Sequence, residues 1–119
     1  MNIAEFQNVM KERFGEEDRR RGPYFLTVVL TSEVGELADA IKKNNRDGIR
    51  EELADVMFCV VSLANVFDID LEKEVVEKYV NQSKEKIREN RLEMNSFARF
   101  CFNFSNFFYK IFIIITLSN

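Results

Sequence analysis

Histidine is missing from this chain altogether. Its absence removes His general bases, Ser-His and Cys-His nucleophiles and every His-containing metal site. The two cysteines, Cys59 and Cys101, lie far apart with no CxxC spacing. They make neither a zinc site nor a disulfide framework, and a reducing cytoplasm is the expected setting. One proline and four glycines in 119 residues are too few for a loop-rich β protein. Basic charge is not in excess either, since the net charge is −3. Nothing draws the chain to nucleic acid beyond the short run Arg19–Arg21, which reads as a solvated link. The opening MNIAEFQNVM, with Glu5 and several polar residues, does not have the form of a signal peptide.

What is present is 46% apolar and 31% charged residues, enough to bury one core and stay in solution. Periodic apolar positions predict an all-α fold. Ile3, Phe6, Val9, Met10 and Phe14 mark a first helix, followed by a polar link over 16–22. Pro23 is suited to open a second helix, which should end near Lys43 at Asn44-Asn45. Asp47 or Asn45 can cap a third helix reaching about Phe67. Asp68-Ile-Asp70 breaks the pattern, and a fourth helix is expected from Leu71 to about Arg91. From Val56 to Phe67 the third helix is apolar nearly all round. Such a helix must be covered on every side, which predicts a homo-oligomer, dimer or tetramer, packed through it.

Two pairs of acids stand at i, i+3 spacing: Glu33 with Glu36, and Glu52 with Asp55. That spacing puts each pair on one helix face. Glu33 falls within the stripe Leu26, Val29, Leu30, Leu37, Ala40, Ile41, and Glu52 beside the stripe Ile49, Leu53, Val56, Val60, Leu63. A carboxylate turned to the core is costly unless paired or bound to metal. In an antiparallel hairpin the two pairs also lie near one level, roughly 10 Å and 8 Å from the turn at ~1.5 Å per residue. Four oxygen donors without sulfur or imidazole suit Mg²⁺, with Mn²⁺ as a substitute. On the fourth helix Lys78 shares the side of Leu71 and Val75, and Asn81 follows, a pair fit for phosphate oxygens. Each feature also has a plainer reading. Such acid pairs are common on solvated helices, Lys78 could snorkel, and Glu33 could pair with Arg50 or one of Arg19, Arg20 and Arg21. Phe6, Phe14, Tyr24 and Phe25 could stack on a base or simply fill the core.

The segment SEVGELADAI, followed after a short gap by EELADVMF, resembles the MazG-like nucleotide pyrophosphohydrolases. Their signature is Glu-Glu-x-x-Glu, then Glu-x-x-Asp after a loop. The resemblance covers roughly residues 2–90, including RGPYFLTVVLTSEVGEL and DIDLEKEVVEKYVNQSKEK. It implies a four-helix bundle that oligomerises, a MazG-like domain over residues 1–91 and a foreign apolar tail over 92–119. It also implies that Glu33, Glu36, Glu52 and Asp55 hold Mg²⁺, that Glu33 or Glu36 serves catalysis as proton acceptor, and that Lys78 and Asn81 bind substrate. The implied reaction converts a (deoxy)nucleoside triphosphate and water to the monophosphate and pyrophosphate, in housekeeping of the nucleotide pool. One departure is Ser32, which stands where the family usually has the first Glu of its pair.

Two rival functions share these residues. Phosphoribosyl-ATP pyrophosphohydrolase has the same fold and carboxylate site, though EVGEL and ELADV look more MazG-like. A non-catalytic metal-binding helical oligomer is the other. The tail, with FARFCFNFSNFFYKIFIIITL, is rich in Phe and Ile but holds Arg99, Asn103, Asn106 and Lys110. Only Ile111–Leu117 lacks strongly polar groups, too short for the ~20 residues of a membrane span. A packed or aggregation-prone extension is therefore expected over a membrane anchor.

Overall fold

A computed structural model describes residues 1–91, all of whose regular structure is helical. The chain divides into two compact units, Met1–Val75 and Val76–Asn119. The apolar tail expected over 92–119, with Cys101, lies outside the described residues.

The first unit opens with α1, Ile3–Arg21. Asn2 starts it with a reciprocal capping box: its side chain accepts from the Glu5 N–H at 2.8 Å, and Glu5 accepts from the Asn2 N–H at 3.1 Å. The helix runs on through the stretch expected to be a polar link. Glu and Arg are good helix formers, no breaker intervenes, and Arg21 pairs with Glu17 one turn back at 2.6 Å. Gly22 ends it, at a φ of 86° that a side chain would oppose. Pro23 then opens α2, Pro23–Lys42, as expected. Asn44 takes a left-handed turn (φ 53°), and Asn45 caps α3, Arg46–Val66, by accepting from the Gly48 N–H at 3.1 Å. A second left-handed residue, Asp68, reverses the chain into α4, Leu71–Val75, which Asp70 caps through the Lys73 N–H at 3.0 Å.

α2 and α3 pack as the expected hairpin, and α1 lies along α3. Phe14 meets Phe58 edge to face at 5.4 Å, while Asn65 donates to the Gln7 carbonyl at 3.1 Å. These two contacts fix an antiparallel register between α1 and α3. Met10, Leu26, Ala40, Cys59, Val61 and Ala64 form the core. Gln7 fastens the far end: its amide donates to the Ile69 carbonyl at 2.6 Å and accepts from the Leu71 N–H at 3.1 Å.

The best-buried face of α3 is not the one its large aliphatics mark. Cys59, Val61, Ser62, Ala64 and Asn65 are buried, whereas Leu53 is 53% and Met57 46% exposed. Small side chains let α1 approach closely, so the α1 contact selects the small-residue face. On α2, Ile41 is likewise exposed rather than in the core.

In the second unit the expected continuous fourth helix is interrupted. Val76–Val80 is π-helical, closed by the Asn81 N–H donating to the Val76 carbonyl at 2.9 Å. The chain bends at 81–82, and residues 84–91 are helical again. Ser83 caps that segment by accepting from the Lys86 N–H at 3.2 Å. Clustered valines and the turn-forming Asn81-Gln82-Ser83 weaken helix continuity here. Among the described residues, no helix is long and apolar enough to cross a membrane.

Candidate metal centre

The hairpin brings three of the four expected acids together. Glu33 and Glu36 lie one turn apart on α2, and Glu52 faces them from α3. One carboxylate oxygen from each lies within 4.8 Å of the other two. Asp55, the next acid along α3, is not within that cluster but acts on Glu33 and Glu52 through its charge. Glu33 and Glu52 are half-buried, and Glu36 and Asp55 exposed. Glu36 and Asp55 therefore lie open on the hairpin, while Glu33 and Glu52 are partly sunk into it.

The electrostatics are those of crowded anions. Burial, the hydrogen bond and charge of Glu36, and the charge of Asp55 push the Glu33 carboxyl from 4.5 up to about 7. Burial first, then the charge of Glu36, also raises Glu52. Among the described residues, no lysine or arginine comes within 4.0 Å of any of the four acids. The alternative ion pairs are not formed: Arg50 binds Asp47 at 3.0 Å, and Arg21 binds Glu17 while lying over the Phe25 ring. Glu52 Oε2 is buried and, among the described residues, has no hydrogen-bond partner. An orphaned buried oxygen beside two more carboxylates is a donor set that fits a hard divalent cation such as Mg²⁺ or Mn²⁺.

Lys78 and Asn81 belong to the second unit and are exposed, with the Lys78 ammonium over the Tyr79 ring at 5.6 Å. The π-helical turn breaks the periodicity that assigned Lys78 to a core side. Ser32 is exposed next to Glu33. Of the four aromatics, Phe14 is engaged by Phe58, Phe25 lies under Arg21, Tyr24 is 90% exposed and Phe6 is half-buried. A cavity of about 240 Å³ lies elsewhere, against Gln7, Lys11, Asn65 and Asp68, at the opposite end of α3 from Glu52.

One acid escaped the sequence reading. Asp18 on α1 is only 6% exposed, and its Oδ2 has no hydrogen-bond partner among the described residues. Its signal was present: Met10, Phe14 and Asp18 follow at i, i+4 and i+8. Assigning 16–22 to a link hid it. Cys59, buried on α3, neighbours both groups of acids. Burial raises its thiol pKa, with further contributions from the charges of Glu33, Asp55 and Asp18.

Residues 21–89, more than half of the chain, match the family model of the MazG nucleotide pyrophosphohydrolase domain. The Gene 37 protein of Mycobacterium phage L5 is 36% identical over 66 residues, covering 46% of this chain and 58% of that protein. The chain thus matches less than two thirds of the phage protein's length.

Proposed function

The chain belongs to the MazG nucleotide pyrophosphohydrolase family, and we propose that it hydrolyses (deoxy)nucleoside triphosphates to the monophosphate and pyrophosphate with Mg²⁺. The observation that carries this reading is the set of three converging carboxylates with an orphaned Glu52 oxygen and no basic partner among the described residues. Glu33, Glu36 and Glu52 would hold the ion, with Asp55 completing the acid set. When bound, such an ion offsets triphosphate charge and lowers the pKa of a bound water. With no histidine in the chain, the proton from the attacking water passes to a carboxylate, and Glu33 and Glu36 are the two candidates.

The assignment of Lys78 and Asn81 to phosphate contact rests on the sequence pattern. An ammonium is the group that developing phosphate charge requires. Oligomer formation draws support from the exposed Leu53 and Met57 on α3 and Val34 and Ile41 on α2. Apolar side chains left open on two adjoining helices are what a second copy would cover. A cytoplasmic role in the nucleotide pool follows from the substrate class. The test is mutational: Glu36→Gln and Asp55→Asn should each give a folded but inactive protein. Full activity in either variant would break the assignment.

A further inference from the structure

α1 carries a buried acid that the proposed reaction does not use. Asp18 closes the inward stripe of α1 that begins at Gln7 and Met10. Gln7 is opposite Asn65 and Phe14 opposite Phe58. Carried one turn further, the same antiparallel register sets Asp18 level with the Ala54–Asp55 stretch of α3. Asp55 belongs to that stretch and Glu52 lies within one turn of it, while Glu33 and Glu36 come from α2 and meet Glu52 across the hairpin. Cys59, adjoining on α3, feels Asp18 from one helix and Glu33 from another.

Among the described residues, Asp18 Oδ2 is buried without a hydrogen bond and no lysine or arginine lies within 4.0 Å of the carboxylate. Of the three arginines that follow it, Arg21 is turned to Glu17 and Phe25. A buried carboxylate without a partner is destabilising and calls for a compensating charge. It is not a ligand of the cluster, since among the described residues Glu33, Glu36 and Glu52 alone meet the ligand spacing.

We infer that Asp18 is an outer carboxylate of the cation site, adding negative charge behind the Glu33–Glu36–Glu52 cluster and strengthening cation binding without touching the ion. The inference rests on reading that cluster as a cation site. It makes Asp18 a positioning residue that links α1 to a site built on α2 and α3. The same charge destabilises the metal-free chain, because five acids then share one region and, among the described residues, none has a lysine or arginine within 4.0 Å.

The test is calorimetric titration of the full chain with Mn²⁺ alone, together with thermal melts of the metal-free protein. Asp18→Asn should weaken Mn²⁺ binding about tenfold, the scale of an outer partner of a metal site. It should melt at or above the wild-type temperature without metal. Asp18→Glu, which keeps the charge, should retain the affinity, and Asp47→Asn, on an exposed acid of α3, should leave it unchanged. If Asp18→Asn does not fold, Asp18→Ser is measured in its place. Wild-type affinity in the charge-free variant, with binding lost in Glu36→Gln, overturns the role of Asp18 alone. Equal loss in Asp18→Asn and Asp18→Glu, with lower metal-free melting in both, would mean that Asp18 only packs and would also overturn it. Absence of Mn²⁺ binding by wild-type protein would overturn the cation-site reading itself.

Discussion

Cation binding and proton binding should compete at Glu33. Its carboxyl is raised from 4.5 to about 7 by burial and by Glu36 and Asp55. Because the folded value lies above the unfolded one, Glu33 favours the folded, metal-free chain when protonated. That contribution is fully present below about pH 4.5 and is lost as pH rises through about 7. A divalent ion needs the ionised carboxylate, so binding below pH 7 must expel the proton. Apparent affinity should then fall about 16-fold from pH 7 to pH 5.5, approaching tenfold per pH unit well below pH 7, as the proton released per ion rises from about half to one. Glu36→Gln removes the charge of Glu36 from the shift, so the titration of Glu33 itself, followed in the metal-free protein, should move downward. Mn²⁺ titration calorimetry in buffers of different ionisation enthalpy counts the protons directly. Affinity independent of pH over this window, with no proton released, would refute the reasoning.

Other perturbations test the scaffold. Gln7→Leu leaves the Ile69 carbonyl and the Leu71 N–H without their partner, and should cost about 1–3 kcal/mol in urea unfolding; an unchanged midpoint would remove Gln7 as the fastener of the α3–α4 turn. Asn45→Ala deletes the α3 cap and should cost about 1 kcal/mol by the same measurement, whereas a neutral result would mean that the turn alone starts the helix. Leu53→Glu combined with Met57→Glu puts charge on the open face of α3 and should convert an oligomer to monomer in sedimentation; an undisturbed oligomer would move the interface elsewhere.

Helix ends were legible where one residue type has one mechanical role. Pro23 can open a helix but not continue one, and Asn44-Asn45 supply a left-handed turn followed by a cap. The spacing of Glu33, Glu36 and Glu52 was legible because helical periodicity and hairpin pairing are both local. Less legible was anything decided by what packs against what. The polar stretch after Phe14 reads as a link until its lack of a breaker before Gly22 is weighed. The small-residue face of α3 is chosen by the approach of α1, which no periodicity within α3 announces. The π-helical turn at Val76–Val80 adds a residue to the helical repeat, so positions beyond it lose their expected side. Asp18 was hidden by the same misplaced end of α1.

The most direct measurement of the central claim is product chromatography after incubation with a panel of canonical and modified NTPs and dNTPs, with Mg²⁺ and with EDTA. Monophosphate and pyrophosphate, formed with Mg²⁺ and lost with EDTA, are the predicted result. Diphosphate and orthophosphate, or no turnover by folded protein on any nucleotide in the panel, would contradict it.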